Sequence, residues 1–293
     1  MIEKRLFLLL IFISCSISAQ INGVVKDSLS GKPIPYVNIW VENEYIGSTS
    51  EENGTFFINT IAKEKKLIFS TLGFEKKIIK ASEALEVFLK PTSYSLEEVV
   101  ISKSIGTKSI EIGKTKTEIY QAFDNGPKID TKFFPYFPSY KKTKYIKQVS
   151  IYLDSRIEDA IIKIHFYDVD SNGFPGEELL DKDFVVSVKK GTRTNRFDLT
   201  DFNLKFPKKG LFVGFEKLMI EKNKVEKSIT DLNTNIMQLQ KTYFPFVLYN
   251  YVEREFFYTF SGGKWNRKTK QNDGDSSGKM MINEPVINLI LTN

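Results

Sequence analysis

Few residues in this sequence could carry out chemistry. His165 is the one histidine among 293 residues, and Cys15 is the one cysteine. Zinc peptidase chemistry takes two histidines and a glutamate on the metal, which a single histidine cannot supply. A Ser-His-Asp triad would have to use His165, yet no Gly-x-Ser-x-Gly elbow occurs. His165 stands between Ile164 and Phe166 in a strand-like run, where a satisfied structural histidine is expected. Cys15 falls in the apolar N-terminal segment, so no thiol chemistry is expected, and no glycine-rich phosphate loop is present. Paired carboxylates of the glycoside hydrolase kind need no local motif and stay open as an alternative.

Two acidic loops have the ligand types of a calcium site. Asp168, Asp170, Asn172 and Gly173 match the opening of an oxygen-ligand loop, but its twelfth position is Leu179. Asp273, Asp275, Ser277, Gly278 and Glu284 match the whole spacing, including the twelfth-position carboxylate. Neither has clear flanking helices, and Asp, Ser and Gly also make ordinary exposed turns. Calcium is therefore the one cofactor the residues leave open. A third candidate is the aromatic stretch 133–140, in which Tyr136, Phe137 and Tyr140 could stack on sugar rings. The same rings could equally pack beneath a sandwich, since aromatics carry large burial energies wherever they sit.

The elements that would position these residues are strands. The chain has 24 Phe and 13 Tyr, and with frequent Val, Ile and Thr this favours strands over helices. Val37, Ile39 and Val41 alternate with Asn38, Trp40 and Glu42, the period of two expected of a half-buried strand. Leu29-Ser30-Gly31-Lys32-Pro33 reads as a turn, and Glu51-Glu52-Asn53-Gly54 as a hairpin turn of the Asn-Gly type. Short strands at this spacing, from residue 21 to residue 90, predict a small sandwich.

Val25-Lys26-Asp27 with Gly31-Lys32-Pro33-Ile34-Pro35, then Val37-Asn38-Ile39, resembles the carboxypeptidase-regulatory-like domain. Thr49 with Gly54-Thr55-Phe56, and Phe69-Ser70 with Leu72-Gly73-Phe74, extend the resemblance in the same order. It implies a transthyretin-like seven-stranded sandwich. In bacteria of the Bacteroidota group such domains stand at the front of many exported and outer-membrane proteins. Leu96-Glu97-Glu98-Val99-Val100-Ile101 looks like the segment that follows this domain in TonB-dependent receptors, and is read as an inherited linker-strand. No plug or barrel is expected after it, because the series of ten-residue strands is missing.

Residues 102–117 read as a connector, and strand patterns return at 146–153, 161–167, 184–188, 196–199, 211–216, 246–251, 256–260 and 286–291. These predict a larger jelly-roll-like β-sandwich. The run from Phe166 to Leu179 resembles a loop of exported jelly-roll modules. Val225, Ile229, Leu232, Ile236 and Leu239 are spaced four, three, four and three apart, which predicts one inserted helix. The expected fold is therefore all-β. Residues 1–19 form a signal peptide, 20–101 the carboxypeptidase-regulatory-like domain, 102–117 a linker and 118–293 the jelly-roll-like sandwich.

Lys4 and Arg5 followed by the apolar run 6–13 have the make-up of a secretory signal, too short to span a bilayer. A lipoprotein reading would instead place Cys15 at the mature N-terminus, and Phe12 is a poor residue for it. The formal net charge is +6 with no dense Lys/Arg block, so nucleic-acid binding is not expected. No transmembrane segment is expected in the mature chain. The expectation is an exported, non-catalytic binding or assembly module of the periplasm, outer membrane surface or extracellular space. Its partner would be an envelope protein or a polysaccharide. A glycan-acting hydrolase and a purely structural spacer are the alternatives.

Overall fold

The computed structural model describes residues 20–59, 64–92, 107–115, 119–120, 126–230, 237–270 and 278–293. The N-terminal unit contains β1 (Gln20–Asp27), β2 (Asn38–Val41), β3 (Gly47–Thr49), β4 (Thr55–Asn59), β5 (Lys66–Ser70), β6 (Lys77–Lys80) and β7 (Glu86–Leu89). One sheet runs β4-β1-β7 and the other β3-β2-β5-β6, the seven-stranded sandwich expected. Alternation fills its core: Val25, Ile39, Val41, Phe56, Ile58, Leu67, Phe69, Val87 and Leu89 all point between the sheets. Gly23 is required in β1, because a Cβ there would meet the Ala84 carbonyl at 2.0 Å. The Asn53-Gly54 turn differs from a simple hairpin. Asn53 Oδ1 accepts from Thr55 N (3.1 Å) and Oγ1 (2.6 Å), and the chain passes from β3 in one sheet to β4 in the other.

The rest of the chain forms β8 (Ser109–Ile112), β9 (Ile119–Tyr120), β10 (Ile129–Phe134), β11 (Tyr145–Ser155), β12 (Ala160–Val169), β13 (Pro175–Glu178), β14 (Phe184–Val188) and β15 (Gly191–Asp198). There follow β16 (Leu211–Lys217), β17 (Lys224–Thr230), β18 (Met237–Tyr243), β19 (Phe246–Val247), β20 (Tyr249–Arg254), β21 (Phe256–Ser261), β22 (Lys264–Thr269), β23 (Met280–Pro285) and β24 (Ile287–Thr292). A seven-stranded sheet runs β13-β12-β16-β10-β21-β22, with β14 also on β12. A five-stranded sheet runs β15-β11-β24-β8, with β19 on β11. The two close on a core that includes Val149, Ile151 and Leu153, Ile162, Ile164 and Phe166, Leu211, Val213 and Phe215, and Ile287, Leu289 and Leu291. The fold is all-β and the larger unit is a jelly-roll-like sandwich.

The inserted helix does not form. β17 and β18 pair antiparallel, with Val225 opposite Thr242 and Ile229 opposite Gln238. Leu232 and Ile236, the middle of the helical stripe, lie outside the described residues. The 4-3-4-3 spacing straddled two strands, and within each of them apolar residues alternate instead: Val225 and Ile229, Met237 and Leu239. Val, Ile and Thr lose side-chain freedom in a helix and not in a strand, so local propensity sides with the hairpin.

Of the segment 102–117, residues 107–115 are described. There Ser109–Ile112 is an edge strand, with Ile112 opposite Leu289. The segment 1–19 and residues 96–101 lie outside the described residues. Among the described residues no helix is long and apolar enough to cross a membrane.

Candidate functional site

Strand alternation divides the residues of the seven-stranded sheet between two faces. Ile162, Ile164 and Phe166 of β12 enter the core, so Lys163, His165 and Tyr167 face the other way. On β16, Leu211, Val213 and Phe215 go inward and Phe212, Gly214 and Glu216 outward. The outward face carries the molecule's polar and aromatic clusters.

The N-terminal sandwich covers one half of that face. Thr71 Oγ1 donates to Asp183 Oδ2 (2.8 Å), which also receives Lys163 Nζ (2.7 Å). Met219 N–H donates to Thr49 Oγ1 (3.1 Å), and Lys264 Nζ to Asn43 Oδ1 (2.8 Å). Trp40 meets Phe260 edge-on at 5.8 Å. At the Gly262-Gly263 turn the strands approach so closely that a Cβ on Gly263 would lie 2.3 Å from Ile68 Cδ1. Tyr36 packs on a small apolar cluster of Ile161, Leu218 and Ile220.

His165 is the centre of the covered half. It is 8% exposed, with Nδ1 3.0 Å from Glu178 Oε2 and Nε2 2.7 Å from Glu216 Oε2. Its ring stacks on Tyr167 with centroids 5.5 Å apart. Burial works against the proton, but the charge of Glu178 and the hydrogen bonds to Glu178 and Glu216 prevail and push the pKa up to about 10. With the proton held, both ring nitrogens donate, one to each glutamate. Burial and the neighbouring Glu178 and Glu216 hold the Tyr167 hydroxyl far above its ordinary range. Asp183 is held below the usual carboxylate range; burial opposes this and Lys163 overcomes it.

The other half of the face is an open aromatic cleft of about 540 Å³. Phe133 lies 4.8 Å from Phe212 and 5.6 Å from Phe256. Tyr258 lies 5.3 Å from Phe212 and 5.5 Å from Phe256. The Arg267 guanidinium sits 5.7 Å from the Phe256 centroid. Two cations converge on Glu284 at the cleft. Arg254 Nε and Nη2 donate to the two oxygens of Glu284 at 2.7 and 2.9 Å. Lys132 Nζ stands 3.3 Å from Glu284 and donates to the Gly113 carbonyl (2.6 Å). Burial lowers the Lys132 pKa, with Glu284 opposing.

The residues singled out in the sequence fall elsewhere. Tyr140 is buried, Tyr136 is partly buried against the core, and both contact Phe206; Phe137 is 50% exposed. Asp170 Oδ1 accepts from Asn172 N (2.7 Å) and Phe174 N (2.8 Å), and Asp168 Oδ1 from Glu177 N (2.7 Å), so both acids brace their own turn. Asn172 is exposed beside them. Asp273 and Asp275 lie outside the described residues. Glu284 is buried under Arg254 and Lys132, and a calcium ion would have to displace two cations. Among the described residues no group of three or more His, Cys, Asp or Glu could hold a metal. The cleft aromatics were missed as a site. Their signal is the alternation Phe256, Tyr258, Phe260 on β21, together with Phe133 on β10.

The architecture is that of two joined β-sandwiches, the first of transthyretin-like form. Residues 21–101 match the family model described as CarboxypepD_reg-like domain, in agreement with the N-terminal resemblance. No curated protein matches the chain. The solved structures that resemble it weakly include two from one virus. One is the structure of the Gx strain of infectious bursal disease virus, 11% identical, covering 93% of this chain and 63% of that one, with a TM-score of 0.23. The other is a mutant VP2 protein of the same virus in T=1 particles, 10% identical, covering 93% and 58%, with a TM-score of 0.20. The chain spans less than two thirds of either.

Proposed function

We propose that this protein is an exported, non-catalytic binding module of the bacterial envelope, and that its open aromatic cleft holds a neutral polysaccharide. The observation that carries the reading is the cleft itself, about 540 Å³, where the part-exposed rings of Phe133 and Phe256 pack on the buried Phe212 and Tyr258. Aromatic faces stack on the apolar faces of sugar rings, and the volume falls in the roughly 300–1,000 Å³ range of ligand sites. Arg254 and Glu284 satisfy each other, leaving no surplus positive charge to recruit an acidic polymer. Export rests on the basic start and apolar run at residues 4–13. The hydrolase alternative has one supporting observation, two acids within 3.0 Å of one histidine. Each of those acids is engaged by a ring nitrogen, however, and neither lines the aromatic cleft.

Affinity electrophoresis in gels containing a glucan, mannan, xylan or alginate tests the proposal. Retardation by a neutral polymer, lost in Phe256→Ala at an unchanged melting temperature, is the expected result. Free migration in every neutral polymer, or cleavage of any of them, would overturn it.

A further inference from the structure

Beside His165, between the two sandwiches, lies a second space of about 190 Å³ whose lining includes Asn38, Thr71, Lys163, Tyr167, Asp183 and Trp265. One water needs only about 10–15 Å³, and drug-sized ligands take about 300 Å³ or more, so the space suits a single small ring. Most polar groups of its wall are matched: Lys163 with Asp183, and His165 with Glu178 and Glu216. Asn38 is the exception. It is 7% exposed and lines the space, and its side-chain amide, which makes no hydrogen bond to any described residue, stays open to that space. Two residues along the same face of β2, the Trp40 indole N–H is also buried without a partner among the described residues. The opposite wall is aromatic, with Tyr167 and Trp265 meeting edge to face at 5.2 Å.

We propose that this space is a second binding site, which takes one neutral sugar ring between Asn38 and Trp265. An amide presents both donor and acceptor, which matches a sugar hydroxyl, and an indole matches the apolar face of the ring. The wall sets Lys163 and His165 against Asp183 and Glu178, so no unpaired positive charge is left to recruit an acidic sugar. Asn38 comes from the N-terminal sandwich and Trp265 from the larger one, so neither sandwich holds the site alone. The site shares no lining residue with the open cleft and does not depend on the polysaccharide reading.

The test is saturation-transfer NMR and thermal shift on the full mature chain, with free glucose, galactose, N-acetylglucosamine and glucuronate at millimolar concentration. At least one neutral sugar is expected to show transfer and to raise the melting temperature. Binding should weaken about ten-fold or more in Asn38→Ala and in Trp265→Ala, and stay unchanged in Phe256→Ala. Asn38→Ala removes an unpaired amide and should melt close to the parent, which separates lost binding from lost folding. The proposal is overturned if no neutral sugar binds, if binding survives in both Asn38→Ala and Trp265→Ala, if glucuronate is preferred, or if Phe256→Ala abolishes binding.

Discussion

One sheet face has been put to two uses. Its covered half sets Lys163, His165 and Glu216 on the outward register of β12 and β16, and pairs them with Asp183 and Glu178 under the N-terminal sandwich. Its open half, on the same register of β10, β16 and β21, sets Phe133, Phe212, Phe256 and Tyr258, with nothing from the N-terminal sandwich lining the cleft. The backbone rule is identical in both halves; what differs is the chemistry of the side chains it places. Buried charges need specific partners and so fix a geometry, whereas the aromatic half leaves Phe133 and Phe256 part-exposed against the buried Phe212 and Tyr258. On the proposed function the aromatic half recognises the polysaccharide, while the charged half fixes how the two sandwiches dock around the smaller second site.

The largest expected effect comes from breaking the charged half. His165→Leu leaves Glu178 and Glu216 buried without their cation, a change that costs about 3–5 kcal/mol. Melting followed by circular dichroism should show a fall of about 10 °C. A shift within error would mean that water already solvates the cluster.

The pH dependence of the same pair sharpens the point. The folded pKa of His165, about 10, lies above its ordinary 6.5, so its stabilisation is complete below pH 6.5 and is lost as pH rises through 10. Asp183 behaves oppositely: its folded pKa lies below 3.8, so its contribution holds above that pH and fades as pH falls through the folded value. Urea unfolding of the parent and His165→Gln should therefore give curves that converge between neutral pH and pH 10. A constant separation would contradict the assignment of the proton.

A smaller effect is expected where the two sandwiches meet. Asp183→Asn should cost about 1–2 kcal/mol, and in a double-mutant cycle with Thr71→Val the two changes should couple by about 0.5–1 kcal/mol. Strict additivity would show that the contact carries no energy across the joint. Smallest of all, Phe137→Ala should change stability by no more than about 0.5 kcal/mol, because its ring is half exposed at the edge of the Tyr140 cluster.

Much of the architecture was legible because its signals are local. The turn and core residues of 21–90 gave the first sandwich, and apolar runs such as 146–153 and 211–216 coincide with β11 and β16. The β17–β18 hairpin was misread because apolar residues on two strands happened to sit at helical intervals along the chain. β10 is absent from the expected strands because Phe133 and Phe134 run straight into the proline-rich aromatic stretch that begins at Pro135. The candidate site was hardest to see. Glu178, Glu216 and His165 are brought together by β13, β16 and β12, and Asn38 reaches Trp265 only because one sandwich docks on the other. Such neighbours share no spacing in sequence, so only pairing and docking reveal them.

The most direct test of the division of labour is one titration carried out on three proteins. Parent, Phe133→Ala/Phe256→Ala and Asp183→Asn are titrated calorimetrically with the neutral polysaccharide that retards the parent, and each sample is melted afterwards. The account predicts that the double aromatic variant loses binding by about ten-fold or more while melting within a few degrees of the parent. It predicts the reverse for Asp183→Asn, with binding retained and the melting temperature lowered. Binding that survives loss of both rings, or that disappears with Asp183 alone, would contradict it.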